Sequence, residues 1–251
     1  MYRAFNLVGS KWDNFAPSLE AGTSIFETQN RGIRESLEGF INDGIVDAAT
    51  LNEHWFPLIE ADVFISHSHI DKDDALTFAG WVSKRFGLKP FVDSCIWGNA
   101  EILLRLIDNR YCLMQDSDTY NYKKRNNSTS HVHMMLSSAL SAMIDKCECA
   151  IFMNTPHSIT SAGAVERTQS PWLFLELGTM RIIRRRDPER LMTKDARLAE
   201  KIAKGEELVV RYPATLKTLT RITDSDLAEW ECQYKDSKKH PLDLLYEIAP
   251  E

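Results

Sequence analysis

The sequence lacks the features that mark several large classes of protein. No apolar run approaches the roughly 20 residues that a membrane helix needs, and residues Met1 to Phe5 do not begin an apolar signal segment. The net charge is −6, so there is no excess of basic residues to bind nucleic acid. We therefore expect a cytoplasmic protein that binds neither membranes nor nucleic acid.

Cysteine is also scarce, and its spacing fits no common zinc site. The five cysteines are Cys95, Cys112, Cys147, Cys149 and Cys232. An odd number without a signal segment favours reduced thiols. Cys147 and Cys149 are too close in sequence for a common structural metal pair, so we interpret both as small residues near a buried strand. No bound metal is expected.

A strand–helix–strand pattern begins near residue 61. The apolar run Asp62–Ser66 predicts a strand that is buried on both faces. Apolar residues then recur at helical spacing from Ala75 to Phe86, and Gly87 ends that helix. A second strand is predicted at Lys89–Asp93. Two strands joined by a helix form a βαβ unit, which implies a parallel sheet.

Three regions follow from the rest of the pattern. Residues 1–60 are predicted to be a helical N-terminal extension, residues 61–215 an α/β domain, and residues 216–251 a C-terminal helical segment. Further strands in the α/β domain are predicted at residues 149–153 and 207–212. The polar residues 114–130 are predicted to form a mobile loop or a lid.

One helix carries an unexplained carboxylate. Ser170 and Pro171 are a strong helix start, with serine at the N-cap and proline in the first turn. Trp172 and Glu176 are four residues apart and share a face of this helix. No basic residue lies three or four positions from Glu176 to neutralise it. Glu176 is either solvated, as most glutamates are, or held in a cleft for a function.

Polar residues also follow the two predicted strands. In parallel sheets, ligands bind beyond the carboxyl ends of the strands. Ser66 and His67 come at the end of one strand and offer hydroxyl and imidazole groups. Asp93 ends the other strand and is suited to binding ribose hydroxyls, and Trp97 could lie beside a base. Ordinary capping of loops by Ser and Asp is the alternative for any single residue.

These segments together resemble the signature segments of TIR domains. Asp62–Ser66 is similar to the first strand that ends in serine, and Phe91–Ser94 is similar to the Phe-x-Asp strand ahead of the so-called BB loop. Trp172 and Glu176 match the Trp-x-x-x-Glu of a later helix. The resemblance covers about residues 61–186, and extends at most to residue 212. It implies a flavodoxin-like sheet flanked by helices.

In the enzymatic branch of this family, the resemblance implies cleavage of NAD between nicotinamide and ribose. Glu176 would be the catalytic carboxylate and Trp172 would support the pocket. Ser66 and His67 match the loop that meets the nucleotide. The segment Asp93–Gly98 matches the BB loop, which often contacts a neighbouring subunit, so assembly is expected. NAD is then the substrate, no separate cofactor is needed, and a role in bacterial antiviral defence is implied.

Three alternatives remain open. One is a TIR-like interaction scaffold without catalysis, which would not need Trp172 and Glu176 on one face. Another is an enzyme similar to nucleoside deoxyribosyltransferases, which shares the fold and acts on free nucleosides. The third is a metallo-β-lactamase-like hydrolase, because His67-x-His69-x-Asp71 is similar to that family's metal motif. In that motif Lys72 stands where a histidine is required, and the preceding residues lack the expected β-hairpins.

Overall fold

The fold was analysed in a computed structural model. It describes residues 1–9, 15, 17–29, 37, 40–42, 45–114, 118–162, 165–168, 170–188, 190–191, 219–235 and 237–250, with the backbone alone at 41, 42, 45, 46, 49, 95–98, 160–162 and 165–167. The strands are β1 Arg3–Val8, β2 Ile41–Asn42, β3 Ile45–Val46, β4 Val63–Ser66, β5 Pro90–Val92, β6 Cys149–Asn154, β7 Thr160–Ala162, β8 Val165–Arg167 and β9 Thr220–Ile222. The helices are α1 Leu19–Gln29, α2 Ala48–Trp55, α3 Lys72–Phe86, α4 Ser94–Tyr111, α5 Tyr122–Lys146, α6 Pro171–Ile182, α7 Asp224–Lys235 and α8 Pro241–Ile248.

The main sheet is entirely parallel, and helices flank it. It has five strands in the order β5-β4-β6-β1-β9. Two short antiparallel pairs, β2–β3 and β7–β8, lie outside it. The α/β class and the parallel sheet are therefore confirmed. The buried strands predicted from their apolar runs are present as β4, β5 and β6.

The first strand corrects the prediction of an entirely helical N-terminal extension. Residues Arg3–Val8 form β1, which pairs with both β6 and β9. Phe5 is fully buried, as a strand inside the sheet requires. Arg3 is tolerated there because its guanidinium donates to the carbonyl of Tyr246 at 3.2 Å and to Thr220 Oγ1 at 3.0 Å. The C-terminal segment predicted as helical likewise contains β9.

Close helix packing supports one face of the sheet. A Cβ added at Gly22 of α1 would lie 1.8 Å from the carbonyl oxygen of Leu76 in α3. A Cβ at Gly80 of α3 would lie 2.0 Å from the carbonyl oxygen of Ser18. Only glycine permits this approach of the two backbones. Helix α3 begins six residues after the end of β4, and its packing fixes where the polar residues between them lie.

Two predicted loops are helical. Helix α4 begins at Ser94, so the segment Asp93–Gly98 is not a loop. Helix α5 begins at Tyr122, so the predicted polar loop is wrong from that residue onward. Its first turn is capped by Asn121, whose side chain accepts from the amide of Lys124 at 3.1 Å. The early residues of α5 are polar because most face solvent.

Other predictions have mixed outcomes. Ser170 caps α6 as expected, since its Oγ accepts from the amide of Leu173 at 3.3 Å. Helix α7 lies within the segment predicted as helical, and Asp226 accepts from the amide and hydroxyl of Thr223 at its start. The strand predicted at residues 207–212 lies outside the described residues. No helix within the described ranges is long and apolar enough to cross a membrane.

Candidate functional site

The candidate site lies where β4, β5 and β6 end. These strands are neighbours and run in the same direction, so their carboxyl ends share one edge of the sheet. Ser66 closes β4, His67 follows it, and Asp93 follows β5. All three side chains are buried. Contacts between these residues and with α6 bring them together at this edge.

Glu176 is brought to this edge by α6. The N-cap and proline at the start of α6 place Glu176 in its second turn, where the side chain is 0 % exposed. Ser66 Oγ donates a hydrogen bond of 2.5 Å to Glu176 Oε2. Glu176 Oε1 has no hydrogen-bond partner within the described part of the chain. Ser66 therefore anchors one oxygen of this carboxyl group, and the Asp93 carboxyl acts on the same group.

Asp93 and His67 form a second buried contact beside it. Asp93 Oδ1 lies 2.5 Å from His67 Nδ1, and both side chains are at most 1 % exposed. The approach is close, yet neither atom has a hydrogen bond of standard geometry to any described residue. The carboxyl of Asp93 also lies near enough to Glu176 for each to influence the proton of the other. Two acids and one imidazole therefore share a single dry pocket.

Burial keeps this pocket nearly uncharged. Burial raises the pKa of Asp93 to about 8, although the nearby Glu176 carboxyl group and the backbone amides of His67 and Ser94 partly oppose the rise. Burial and the charge of Asp93 raise the pKa of Glu176 well above its ordinary value, against the hydrogen bond from Ser66. Two carboxyl groups at close range cannot both ionise easily. The pair therefore keeps protons at neutral pH.

His67 is neutral in the same surroundings. Burial lowers the pKa of His67 to about 4, although the negative charges of Glu176 and Asp71 oppose the fall. A neutral imidazole beside a protonated acid is not an ion pair, despite the short distance between them. The contact is better described as a carboxylic acid presented to an imidazole nitrogen. Such a cluster can store a proton and release it when a positive charge arrives.

The structure describes the side chain of one of the two predicted tryptophans, Trp172. Trp172 lies one turn before Glu176 and is partly buried, with its ring packed edge-on against His133 of α5 at 5.2 Å between centroids. This contact joins α6 to α5. Trp97 lies in α4, and its side chain is outside the described residues. Substrate contacts by either ring remain predictions.

A further polar group at this edge was not recognised in the sequence as a unit. Asp71 contacts His157 Nδ1 at 2.6 Å and accepts from Thr155 Oγ1 at 2.5 Å. Thr155 and His157 follow β6 directly, which is where a parallel sheet places ligand-binding residues. Their position after a strand is the sequence signal that could identify Thr155 and His157 as site residues. Asp71 is marked in the sequence only by its place in the His67-x-His69-x-Asp71 motif.

The metal motif does not converge. His67 faces Asp93, whereas Asp71 pairs with His157. Among the residues that the structure describes, no group of three or more His, Cys, Asp or Glu side chains is arranged to hold a metal ion.

Comparison of the chain with models of known protein families, with curated proteins and with solved structures found no match. What the site can do must therefore be argued from its own geometry. It presents a buried carboxyl pair whose protons are held unusually tightly, and one carboxyl oxygen without a partner. This arrangement favours chemistry on a substrate that carries or develops positive charge.

Proposed function

We propose that the protein is a TIR-type enzyme that cleaves the bond between nicotinamide and ribose in NAD, with Glu176 as the catalytic carboxylate. The observation that carries the proposal is the hydrogen-bonded, fully buried carboxyl of Glu176 at the carboxyl edge of the sheet. It stands with Ser66 and Asp93, the two strand-end residues of the same resemblance. The neighbouring strands β5, β4 and β6 support a flavodoxin-like arrangement in this part of the sheet, whereas the next place is taken by the N-terminal strand β1.

The chemistry suits one carboxylate. Nicotinamide in NAD is a cationic leaving group that departs as a neutral molecule, so no general acid is required. The ribosyl carbon passes through a state with oxocarbenium character, as in glycoside hydrolysis. A carboxylate fixed near that carbon stabilises the developing positive charge, and does so more strongly in a dry site than in water.

The protonation of Glu176 adds a condition to this mechanism. Because burial and the charge of Asp93 raise the pKa of Glu176, this group holds its proton to a higher pH than an ordinary glutamate does. A bound cation lowers the pKa of a nearby carboxyl group, so NAD itself favours the ionised form. Asp93 and His67 are placed to take up the proton or pass it on. We therefore assign to these two residues the acceptance and transfer of the Glu176 proton, in addition to their predicted contacts with substrate.

Complete burial of Glu176 also implies that access is controlled. NAD can reach a side chain that is 0 % exposed only after neighbouring groups move aside. This supports the prediction that activity follows assembly or a partner's trigger. The segment Asp93–Gly98, which the resemblance assigns to subunit contacts, begins α4 and directly adjoins the site. A shift of α4 on assembly would open the pocket at Asp93.

A TIR-like interaction scaffold is the second candidate, because burial and protonation of Glu176 also suit a structural acid. Separation of products after incubation with NAD decides between the two. An enzyme of the proposed type releases nicotinamide, and the other product is ADP-ribose or a cyclic or conjugated derivative. A parallel incubation with free nucleosides tests the deoxyribosyltransferase-like alternative. Protein that is concentrated enough to assemble and still leaves NAD intact would favour the scaffold.

A further inference from the structure

The turn after β6 carries a histidine, His157, that the mechanism above does not use. Thr155 Oγ1 donates to Asp71 at 2.5 Å and accepts from the amides of His157 and Ser158 at 3.2 and 3.1 Å. The amide of Thr155 donates to Ser158 Oγ at 2.8 Å. Hydrogen bonds of Thr155 and Ser158 therefore close the turn, and the imidazole of His157 is not needed for that purpose.

The imidazole is instead oriented and left accessible. Asp71 is 5 % exposed and uses one oxygen for Thr155 and the other for His157 Nδ1, at 2.6 Å. Because both oxygens are placed as acceptors, the neutral tautomer that fits this contact has its hydrogen on Nδ1 of His157 and its lone pair on Nε2. The His157 side chain is 51 % exposed. A buried acid that fixes the tautomer of an accessible imidazole is the arrangement of a general base.

This pair lies at the same edge as the carboxyl pocket. Strands β4 and β6 are paired, with Ser66 opposite Phe152. Asp71 follows the end of β4 by five residues and His157 follows the end of β6 by three, so the two loops meet directly above this strand pair.

His67 connects the two groups. His67 follows Ser66, which bonds to Glu176, and its imidazole contacts Asp93 at 2.5 Å. Asp71 lies four residues after His67 and holds His157, so the pair belongs to the same cluster of strand ends, with His157 as its exposed member.

We propose that His157, held by Asp71, is the general base that activates the acceptor in the second half of the reaction. The role rests on the proposed function. As the bond between C1′ and nicotinamide breaks, its electron pair leaves with nicotinamide. Water then forms the new bond to C1′ while its proton passes to Nε2 of His157, and the imidazolium later releases that proton to solvent. The products are ADP-ribose, nicotinamide and one proton. Asp71 acts as the positioning residue.

Two reactions of one protein separate this role from that of Glu176. Hydrolysis of NAD needs a proton to be removed from water. Exchange of isotopically labelled nicotinamide into NAD does not, because the pyridine nitrogen attacks through a lone pair and has no proton to lose. In His157→Gln we expect hydrolysis to fall about 10²-fold or more, the size of a general-base contribution. We expect exchange to be retained. Glu176→Gln should lose both reactions.

Matched variants guard against a purely structural effect. His131→Gln changes an exposed histidine on α5 and should leave both rates unchanged. Asp71→Asn should lower hydrolysis and keep exchange, because the tautomer of His157 is no longer fixed. Imidazole added to His157→Gly should restore part of the hydrolysis, since the site is open to solvent.

The outcomes are distinct. If wild-type protein hydrolyses NAD and His157→Gln does so equally fast, or loses hydrolysis and exchange in parallel, the role of His157 is wrong and the proposed function stands. If wild-type protein performs neither reaction under assembling conditions, the proposed function fails and this role fails with it. Selective loss of hydrolysis with retained exchange supports the role.

Discussion

Ser66 Oγ donates a 2.5 Å hydrogen bond to Glu176 Oε2, and this bond joins the end of β4 to the second turn of α6 across 110 residues of sequence. It joins a serine at the end of a strand to a carboxyl group on a helix, and no short sequence pattern contains both residues. It also lowers the pKa of Glu176, against the larger effects of burial and of the Asp93 charge. Both stability and activity should therefore respond when it is removed.

In Ser66→Ala, Glu176 Oε2 loses its donor in a buried setting. A buried acceptor left unsatisfied costs about 1–3 kcal/mol in free energy of unfolding. The pKa of Glu176 should rise further, so a higher pH is needed to ionise it. We expect the rising limb of the pH–rate profile for NAD cleavage to move to higher pH. Ser137→Ala is the control, because its hydroxyl bonds only to the His133 carbonyl on the exposed face of α5. Identical profiles for Ser66→Ala and wild type would contradict the role of this bond.

Asp93→Asn should remove a pH dependence of stability. The pKa of Asp93 is about 8 when folded, against 3.8 as its ordinary value. Between these values the folded state holds a proton that the unfolded state has lost, so stability falls as pH rises from about 4 to about 8. Below pH 4 the penalty is absent. Asparagine mimics the protonated acid, so the variant should gain stability relative to wild type as pH rises through this window.

Urea unfolding at pH 5 and at pH 8 measures this effect. The difference in unfolding free energy between Asp93→Asn and wild type should be larger at pH 8, with a gain of a few kcal/mol at most. For a chain of this size, each kcal/mol corresponds to about 2–4 °C in Tm. Asp118→Asn, at an exposed position, is the control. If the difference in unfolding free energy between Asp93→Asn and wild type is the same at both pH values, burial does not raise the pKa of Asp93.

The N-terminal strand should be essential to the fold. Phe5 is fully buried in β1, between β6 and β9. Phe5→Ala should destabilise the protein by about 3–5 kcal/mol through the lost burial and the cavity left behind. Tyr122→Ala, at a side chain that is 78 % exposed, should change stability by less than about 0.5 kcal/mol. Midpoints of urea unfolding measure both. A fragment from residue 61 onward that folds cooperatively would contradict the placement of β1.

The serine cap of α6 should stabilise the fold, and glycine at the same position should lose less of that stability than alanine. Ser170 Oγ accepts from the amide of Leu173. Ser170→Ala should cost about 1 kcal/mol, whereas Ser170→Gly should cost only a few tenths. Thermal unfolding of the two variants gives the comparison. Equal stability of Ser170→Ala and wild type would mean that the cap does not hold the helix that carries Glu176.

The sequence predicts the parts of this fold that depend on local pattern. The apolar runs of β4 and β6 and the Ser170–Pro171 start of α6 each lie within one short segment, and each is present. Strand β1 was missed because Arg3 makes it look unlike a buried strand. The partners that satisfy Arg3, Tyr246 and Thr220, lie 243 and 217 residues away. A pattern within one short segment cannot indicate partners that lie so far away in the sequence.

The same distinction applies to the site. Glu176 was found because a carboxylate without nearby cations on an apolar turn is locally unusual. The Asp71–His157 pair was not found, because its members are 86 residues apart and each looks ordinary in its own loop. The resemblance to TIR domains predicts a loop at Asp93–Gly98, whereas Ser94 begins α4.

The most direct test is the rate of nicotinamide release from NAD by wild type and by Glu176→Gln, at pH 8 and at a protein concentration that permits assembly. Glutamine keeps the shape of the protonated acid and the acceptor for Ser66, so the fold should be preserved, as unfolding midpoints can verify. Glu101→Gln, on the exposed side of α4, is the matched control. We predict release by wild type and by Glu101→Gln, with a fall of at least about 10²-fold in Glu176→Gln. Release by Glu176→Gln at the wild-type rate would contradict the assignment of Glu176 as the catalytic carboxylate.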